Sequence, residues 1–287
     1  MARIVAMSDI HLSPTHGFFW ENWCAARDFV KMLNPEAVIV NGDLCINGPD
    51  SDAEMAFAAS MMHDLGDTVY TLPGNHDVGD ELPGQDAQQI INGERLARWN
   101  RYFGPDRWEF DAGVWRLIGA NAQLFGSGLP QEAVQYDWLN EQLSRGSGKP
   151  TALFVHKPLF IDSPYEDTTS PECTPPAARN AVLKLIRASG VRLVVSGHLH
   201  QYREMIVEDI RYVWLPAVAF VAPISLGGQR NCGLAILDFS TEAVDIRIEY
   251  PIALVSHDLD AIKERGRYAF LRDMPPCPPD LRGSYQR

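Results

Sequence analysis

The stretches RIVAMSDIH (residues 3–11), AVIVNGD (residues 37–43) and TVYTLPGNHD (residues 68–77) share one design, an apolar run of strand-forming residues that ends in a polar signature. Residues 3–7, 37–40 and 68–72 read as strands. Between them lie two segments of helical period. Residues 22–33 carry Ala25, Ala26, Phe29, Val30 and Leu33 along one face, and residues 52–65 open on acidic side chains and stop at Gly66. The alternation of strand and helix implies a parallel sheet whose ligands gather beyond the carboxyl ends of its strands.

The rest of the chain extends this pattern. Residues 78–104 read as mixed and partly helical, 108–110 and 114–120 as a hairpin around Asp111-Ala-Gly113, and 130–143 as a helix that opens on proline. A strand at 151–155, a helix at 176–188 and a strand at 192–195 follow. Residues 202–207, 212–215, 233–239 and 243–248 read as antiparallel strands, the first two joined at Glu208-Asp209. The fold expected is α/β, a sandwich of two mixed sheets flanked by helices. The catalytic domain is expected over residues 1–250, with residues 251–287, rich in proline near their end, as a C-terminal extension.

Composition narrows the function. The 287 residues carry 25 Lys+Arg against 37 Asp+Glu, a net charge of −12, which disfavours long nucleic acid because backbone binding needs clustered cations. No run reaches the roughly 20 apolar residues of a membrane span, and residues 1–7 lead directly into a strand without a signal-peptide layout. The five cysteines are scattered and contain no Cys-x-x-Cys, which argues against a disulfide framework and fits a reducing, cytoplasmic location. The oligomeric state stays open, a homo-oligomer included.

Five of the eight histidines fall in short signatures that each follow an expected strand: Asp9-Ile-His11, Gly42-Asp43, Gly74-Asn75-His76-Asp77, His156 in Val-His-Lys-Pro, and Gly197-His198-Leu-His200. Alone, each has a plain reading as a cap, a turn or a packed histidine. Together, at strand ends and in one order, they do not. Asp-x-His and His-x-His put two ligands on the same side of extended chain. Carboxylate, imidazole and amide without thiolate suit Mn, Fe or Zn. Seven such groups exceed the needs of one ion. They suggest two ions about 3.5–4 Å apart, bridged by a carboxylate and a water-derived hydroxide, a design for attack at phosphorus.

On these motifs the chain resembles the calcineurin-like metallophosphoesterases, whose pattern runs D-x-H, GD, GNH, H, GHxH. The resemblance covers roughly residues 4–239, and the GNHD form looks most like bacterial class III cyclic-nucleotide phosphodiesterases and glycerophosphodiesterases. It implies the metallophosphoesterase fold, a four-layer α-β-β-α sandwich, and a small phosphoester substrate. It also implies that Asp9, His11, Asp43 and His200 bind one metal, and that Asp43, as bridge, binds the other with Asn75, His156 and His198. His76 would act as general acid or phosphoryl hydrogen-bond donor, with Asp77 either orienting it or serving only the turn. Two positions depart from the pattern: Lys157 stands where many relatives have a second histidine, and Ala120-Asn121 where they often show Asp-Ser or Asp-Thr. The implied activity is hydrolysis of a small phosphodiester of cyclic-nucleotide or glycerophosphodiester type; the alternatives are a phosphomonoesterase and a noncatalytic scaffold.

Other segments bear on substrate choice. Phe18, Phe19, Trp20 and Trp23 follow the first signature and either stack on a base or pack the next helix. The segment 162–176, with Tyr165, Glu166 and Asp167, is expected to overhang the site and to repel a strongly anionic substrate. Arg95, Arg98 and Arg101 read as a solvated helix face.

Overall fold

The computed structural model describes residues 2–81, 89–145, 148–241 and 243–257. In its first half β1 (Ala2–Met7), α1 (Trp20–Leu33), β2 (Ala37–Asn41), α2 (Asp52–Met62) and β3 (Val69–Leu72) realise the expected strand and helix alternation. A short α3 (Asn75–Val78) and α4 (Gly93–Phe103) precede the hairpin of β4 (Trp108–Ala112) and β5 (Trp115–Ala120). Then come α5 (Pro130–Arg145), β6 (Thr151–Val155), α6 (Pro176–Arg187), β7 (Val191–Ser196), β8 (Arg203–Val207), β9 (Ile210–Trp214), β10 (Leu234–Phe239) and β11 (Val244–Glu249).

These strands form two mixed sheets, ordered β11-β10-β1-β2-β3 and β4-β5-β6-β7-β9-β8. Period-two alternation decides the layers. Ile4, Ala6 and Ile39 of the first sheet meet Leu117, Phe154, Leu193 and Val213 of the second in the central core. The alternate residues Val5, Met7, Val38 and Val40 pack on Trp23 and Val30 of α1, Phe57 and Met61 of α2 and Trp99 of α4. On the far side, Ile118, Leu153 and Val155 pack on Leu139 of α5 and Val182 and Ile186 of α6. Both faces of β1, β2 and β6 are therefore apolar, as parallel strands covered by helices require, and each fully buried large side chain contributes about 1.5–3 kcal/mol.

The structure departs from the sequence expectations at several points. β9 is antiparallel to β8 but parallel to β7, so the tail of the second sheet is not a purely antiparallel meander. Its start is set by Glu208 and Asp209, both left-handed at φ 52° and 63°, a turn geometry that favours hairpins and brings Ile210 into the strand. Of Arg95, Arg98 and Arg101, Arg101 is exposed and Arg98 partly so, and Arg95 departs from the expected solvated face. Arg95 is buried and reaches Asp50 through two bonds of 2.9 and 2.7 Å, while Arg98 and Arg101 both pair with Asp52. The three tie α4 to the start of α2. The Asn22 side chain donates to the carbonyls of Val218, Ala219 and Val255 and accepts from the Val255 amide, which ties residue 255 to α1. The remainder of the expected extension lies outside the described residues.

Glu54 of α2 buttresses the loop after β1. It is 6% exposed, accepts from the Ser13 hydroxyl at 2.5 Å, and lies 3.4 Å from the Asn47 amide. Burial pushes its carboxyl from 4.5 up to about 7. Its folded value is raised, so the folded state holds the proton more tightly than the unfolded chain. The resulting stabilisation is present below about 4.5 and is lost as pH rises through about 7, a swing of about 3 kcal/mol. Glu54→Gln, neutral at every pH, is expected to unfold at higher urea than the parent at pH 8, with the gap closing by pH 5. An equal gap at both pH values would contradict this.

Candidate metal centre

Parallel strands carry the five signatures to one edge. Asp9 and His11 follow β1, Asp43 follows β2, Asn75 opens α3 just after β3, His156 follows β6, and His198 and His200 follow β7. The turns are tight. Asp9, His11, Asp43, His198 and His200 all adopt left-handed backbone, with φ between 45° and 69°. Such conformations cost non-glycine residues about 1–3 kcal/mol each and persist only where the surroundings over-determine them. Here backbone bonds lace the loops together: Asp9 N to Gly42 O, His11 N to Asp43 O, Gly197 N to His156 O and Ala219 N to Asp9 O, at 2.8–3.0 Å. Gly42 (φ 92°) and Gly74 permit the approach, because a Cβ on the first would strike the His156 ring and one on the second the Asp43 carboxylate.

Two groups of ligand-type atoms result. Those of Asp9, His11, Asp43 and His200 lie within 4.8 Å of one another, and so do those of Asp43, His156 and His198; Asp43 belongs to both. His11 Nε2 is 3.2 Å from His200 Nε2, which is 3.1 Å from Asp9 Oδ1. His156 Nε2 is 3.4 Å from Asp43 Oδ1 and 3.3 Å from Asn75 Oδ1.

Backbone carbonyls fix the rings. His156 Nδ1 donates to Asn41 O and His200 Nδ1 to Phe220 O, both at 2.8 Å, while His198 Nε2 donates to Pro171 O at 3.1 Å. Each ring thereby keeps its other nitrogen for the cluster, the support that metal-binding imidazoles use. Lone pairs of imidazole, carboxylate and amide then converge, and the buried Asp9 Oδ1 accepts no hydrogen bond. Acceptors packed this closely repel unless a cation or proton lies among them, so the donor set fits metal ions.

Burial and neighbouring charge shift the titrating groups of the cluster in opposite directions. Burial alone would raise both aspartates. The charges of His200 on Asp9 and of His156 on Asp43 outweigh it and hold both carboxyls below their ordinary range. Against its own burial, His156 is pulled up to about 9 by Asp43. Burial and the charge of Lys157 push His198 down to about 3, and burial with His76 lowers His11.

The neighbouring residues have partners of their own. Asp77 is fully buried, and its oxygens accept from the Leu44, Cys45 and Gly74 amides at 2.8–3.1 Å, which locks the loop after β2 to that after β3. His76 is oriented instead by the Ile46 carbonyl, 2.6 Å from its Nδ1, and by its own amide on Asp43 Oδ1. Lys157 is buried and donates to Asp80 Oδ1 at 2.5 Å and Glu81 Oε1 at 2.7 Å. Asn121 bonds Asp106, Gln123 and Gln135. Trp20 and Trp23 are core. Glu166 caps its own loop at the Ile161, Asp162 and Ser163 amides, and Tyr165 bonds Glu208 at the β8–β9 turn. The loop meets the site through Pro171 O. Phe220 was not foreseen: its ring lies 5.0 Å from that of His11 and 4.1 Å from that of His200. A cavity of about 480 Å³ lined by Lys31, Asn34, His63 and Asp67 opens at the amino ends of β2 and β3, remote from this edge.

Comparison with known proteins agrees with this geometry. Residues 2–202 match the Calcineurin-like phosphoesterase family. The chain is 24% identical over 228 residues to the 3′,5′-cyclic-nucleotide phosphodiesterase alr5338 of Nostoc sp., covering 76% of this chain and 78% of that one. It is 28% identical over 212 residues to human serine/threonine-protein phosphatase CPPED1 (72% and 60%), and 30% identical over 169 residues to the glycerophosphodiester phosphodiesterase GpdQ of Enterobacter lignolyticus (52% and 55%). The chain thus spans little more than half the length of the latter two. A zebrafish dimetal phosphatase structure superposes with a TM-score of 0.60 at 14% identity, over 88% of this chain and 96% of that one, and shares the fold.

Lys157 gives this site a stability test. Burial and Asp80 push the Glu81 carboxyl well above its ordinary value, so Lys157→Met would strand the buried Asp80 carboxylate and is expected to cost about 3–5 kcal/mol in chemical denaturation. A cost under about 1 kcal/mol would show that the cluster tolerates the loss.

Proposed function

The chain belongs to the calcineurin-like phosphoesterase family of metal-dependent hydrolases, and we propose that it hydrolyses a small phosphodiester at a two-metal centre. Asp9, His11, Asp43 and His200 would hold one ion, and Asp43, Asn75, His156 and His198 the other. The observation that carries this reading is the membership of Asp43 in both groups. Bound metal ions supply Lewis acidity and an activated water, for which the imidazole, carboxylate and amide donors suit Mn, Fe or Zn.

The chain's own residues orient and protonate. The Ile46 carbonyl holds His76 by Nδ1, so Nε2 is the nitrogen that can deliver a proton to the departing alkoxide. Its ring stands edge-on to His11, 4.7 Å away, at the border of the cluster. Asp77 acts through the loops it locks.

Diester preference draws support from the likeness to the Nostoc phosphodiesterase and from Lys157, whose charge is spent on Asp80 and Glu81 and is not offered to a dianion. The likeness to the human phosphatase favours a monoesterase as the second reading. Among the described residues no helix is long and apolar enough to cross a membrane, and Cys24, Cys45, Cys173 and Cys232 are unpaired, which supports a cytoplasmic enzyme.

Comparing kcat/KM on bis(p-nitrophenyl) phosphate and p-nitrophenyl phosphate tests the preference; a higher value for the monoester would favour the phosphatase reading. His76→Ala is expected to keep its metal content and to lower kcat about 100-fold on alkyl esters, with a smaller loss on p-nitrophenyl esters, which need little protonation. Loss of metal in that variant would overturn the role given to His76.

A further inference from the structure

Three segments distant in sequence bring aromatic rings to one flank of the Asp9, His11, Asp43 and His200 group. Phe18 and Phe19 come from the loop after β1, Phe220 from the segment after β9, and His257 from the last described residues. Phe19 is buried among Ile46 and Ala219 and backs Phe220 at 5.0 Å. Phe18 stands on Phe19 at 5.3 Å, and His257 lies 4.8 Å from Phe18. Phe220 and Phe18 keep part of their surface in solvent.

Ligand orientation does not require the Phe220 ring. His200 is oriented by the main-chain carbonyl of Phe220, which any residue would supply at that position. A partly exposed ring, rigidly backed and in contact with two proposed metal ligands, is instead suited to stack on a planar group carried by the phosphoryl ligand.

We propose that Phe220, backed by Phe19 and extended by Phe18, is a specificity-determining contact for a planar aromatic ester group, aryl or nucleoside base, on the substrate. This rests on the phosphoesterase reading of the adjoining cluster.

Binding of three phosphonates and one nucleoside monophosphate to the metal-loaded full chain tests it, since each carries a single organic group. Calorimetric Kd values for phenylphosphonate, cyclohexylphosphonate, methylphosphonate and adenosine 5′-monophosphate are compared in the parent, Phe220→Ala, Phe220→Leu and Phe220→Tyr, with metal content measured alongside. The parent is expected to prefer phenyl over cyclohexyl. Phe220→Ala and Phe220→Leu should weaken the planar ligands by about 5- to 100-fold, leave methylphosphonate within about twofold and keep the metals, while Phe220→Tyr retains affinity. Weakening on phenylphosphonate alone supports an aryl group, and weakening on the nucleotide as well supports a base. An equal loss on all four ligands, or none, would overturn the proposal while leaving the phosphoesterase reading in place. Failure of the parent to bind any of the four would overturn both.

Discussion

A buried carboxylate at the end of β2 sets the terms for the rest of this structure. Asp43 has almost no contact with solvent, sits in left-handed backbone at φ 54°, and lies within 4 Å of a nitrogen on His11 and another on His156. An isolated charge there would be costly, so the site must surround it with cations, protons or donors. The His76 amide supplies one donor. The glycines at 42 and 74 exist to let the neighbouring loops close on it, and the parallel strands of both sheets exist, from the site's viewpoint, to deliver those loops to one edge.

The scaffold absorbs the strain. Five left-handed residues in one cluster ask for about 5–15 kcal/mol, comparable to the net stability of a domain. The loops are laced by backbone bonds, Asp77 spans three amides, and Asn22 anchors both the 218–219 segment and the 255 segment against α1. Lacing of this kind holds the side chains of the cluster in place, and it makes the polar network around the edge as consequential for stability as the three apolar layers.

Much of this was legible in the sequence because it is local. Strand runs and helical periods gave the elements of the first half nearly to the residue, and each motif followed a strand directly. What escaped was tertiary. Nothing near Arg95 announces Asp50 as its partner 45 residues away, and nothing near Lys157 announces Asp80 and Glu81. Glu166 reads as a free acid in sequence yet spends its oxygens on backbone amides. Phe220 sits in an apolar stretch, LPAVAF at residues 215–220, that looks like ordinary core, and its place beside His11 and His200 depends on how the chain leaves β9.

The account turns on Asp43 joining two ions. The direct measurement is metal stoichiometry together with electron paramagnetic resonance of the manganese-loaded protein, parent against Asp43→Ala. The account predicts two ions per chain and an exchange-coupled signal in the parent. In the variant it predicts one ion or fewer, no coupling and turnover near background, with the fold retained by circular dichroism. Two coupled ions and undiminished turnover in Asp43→Ala would contradict it.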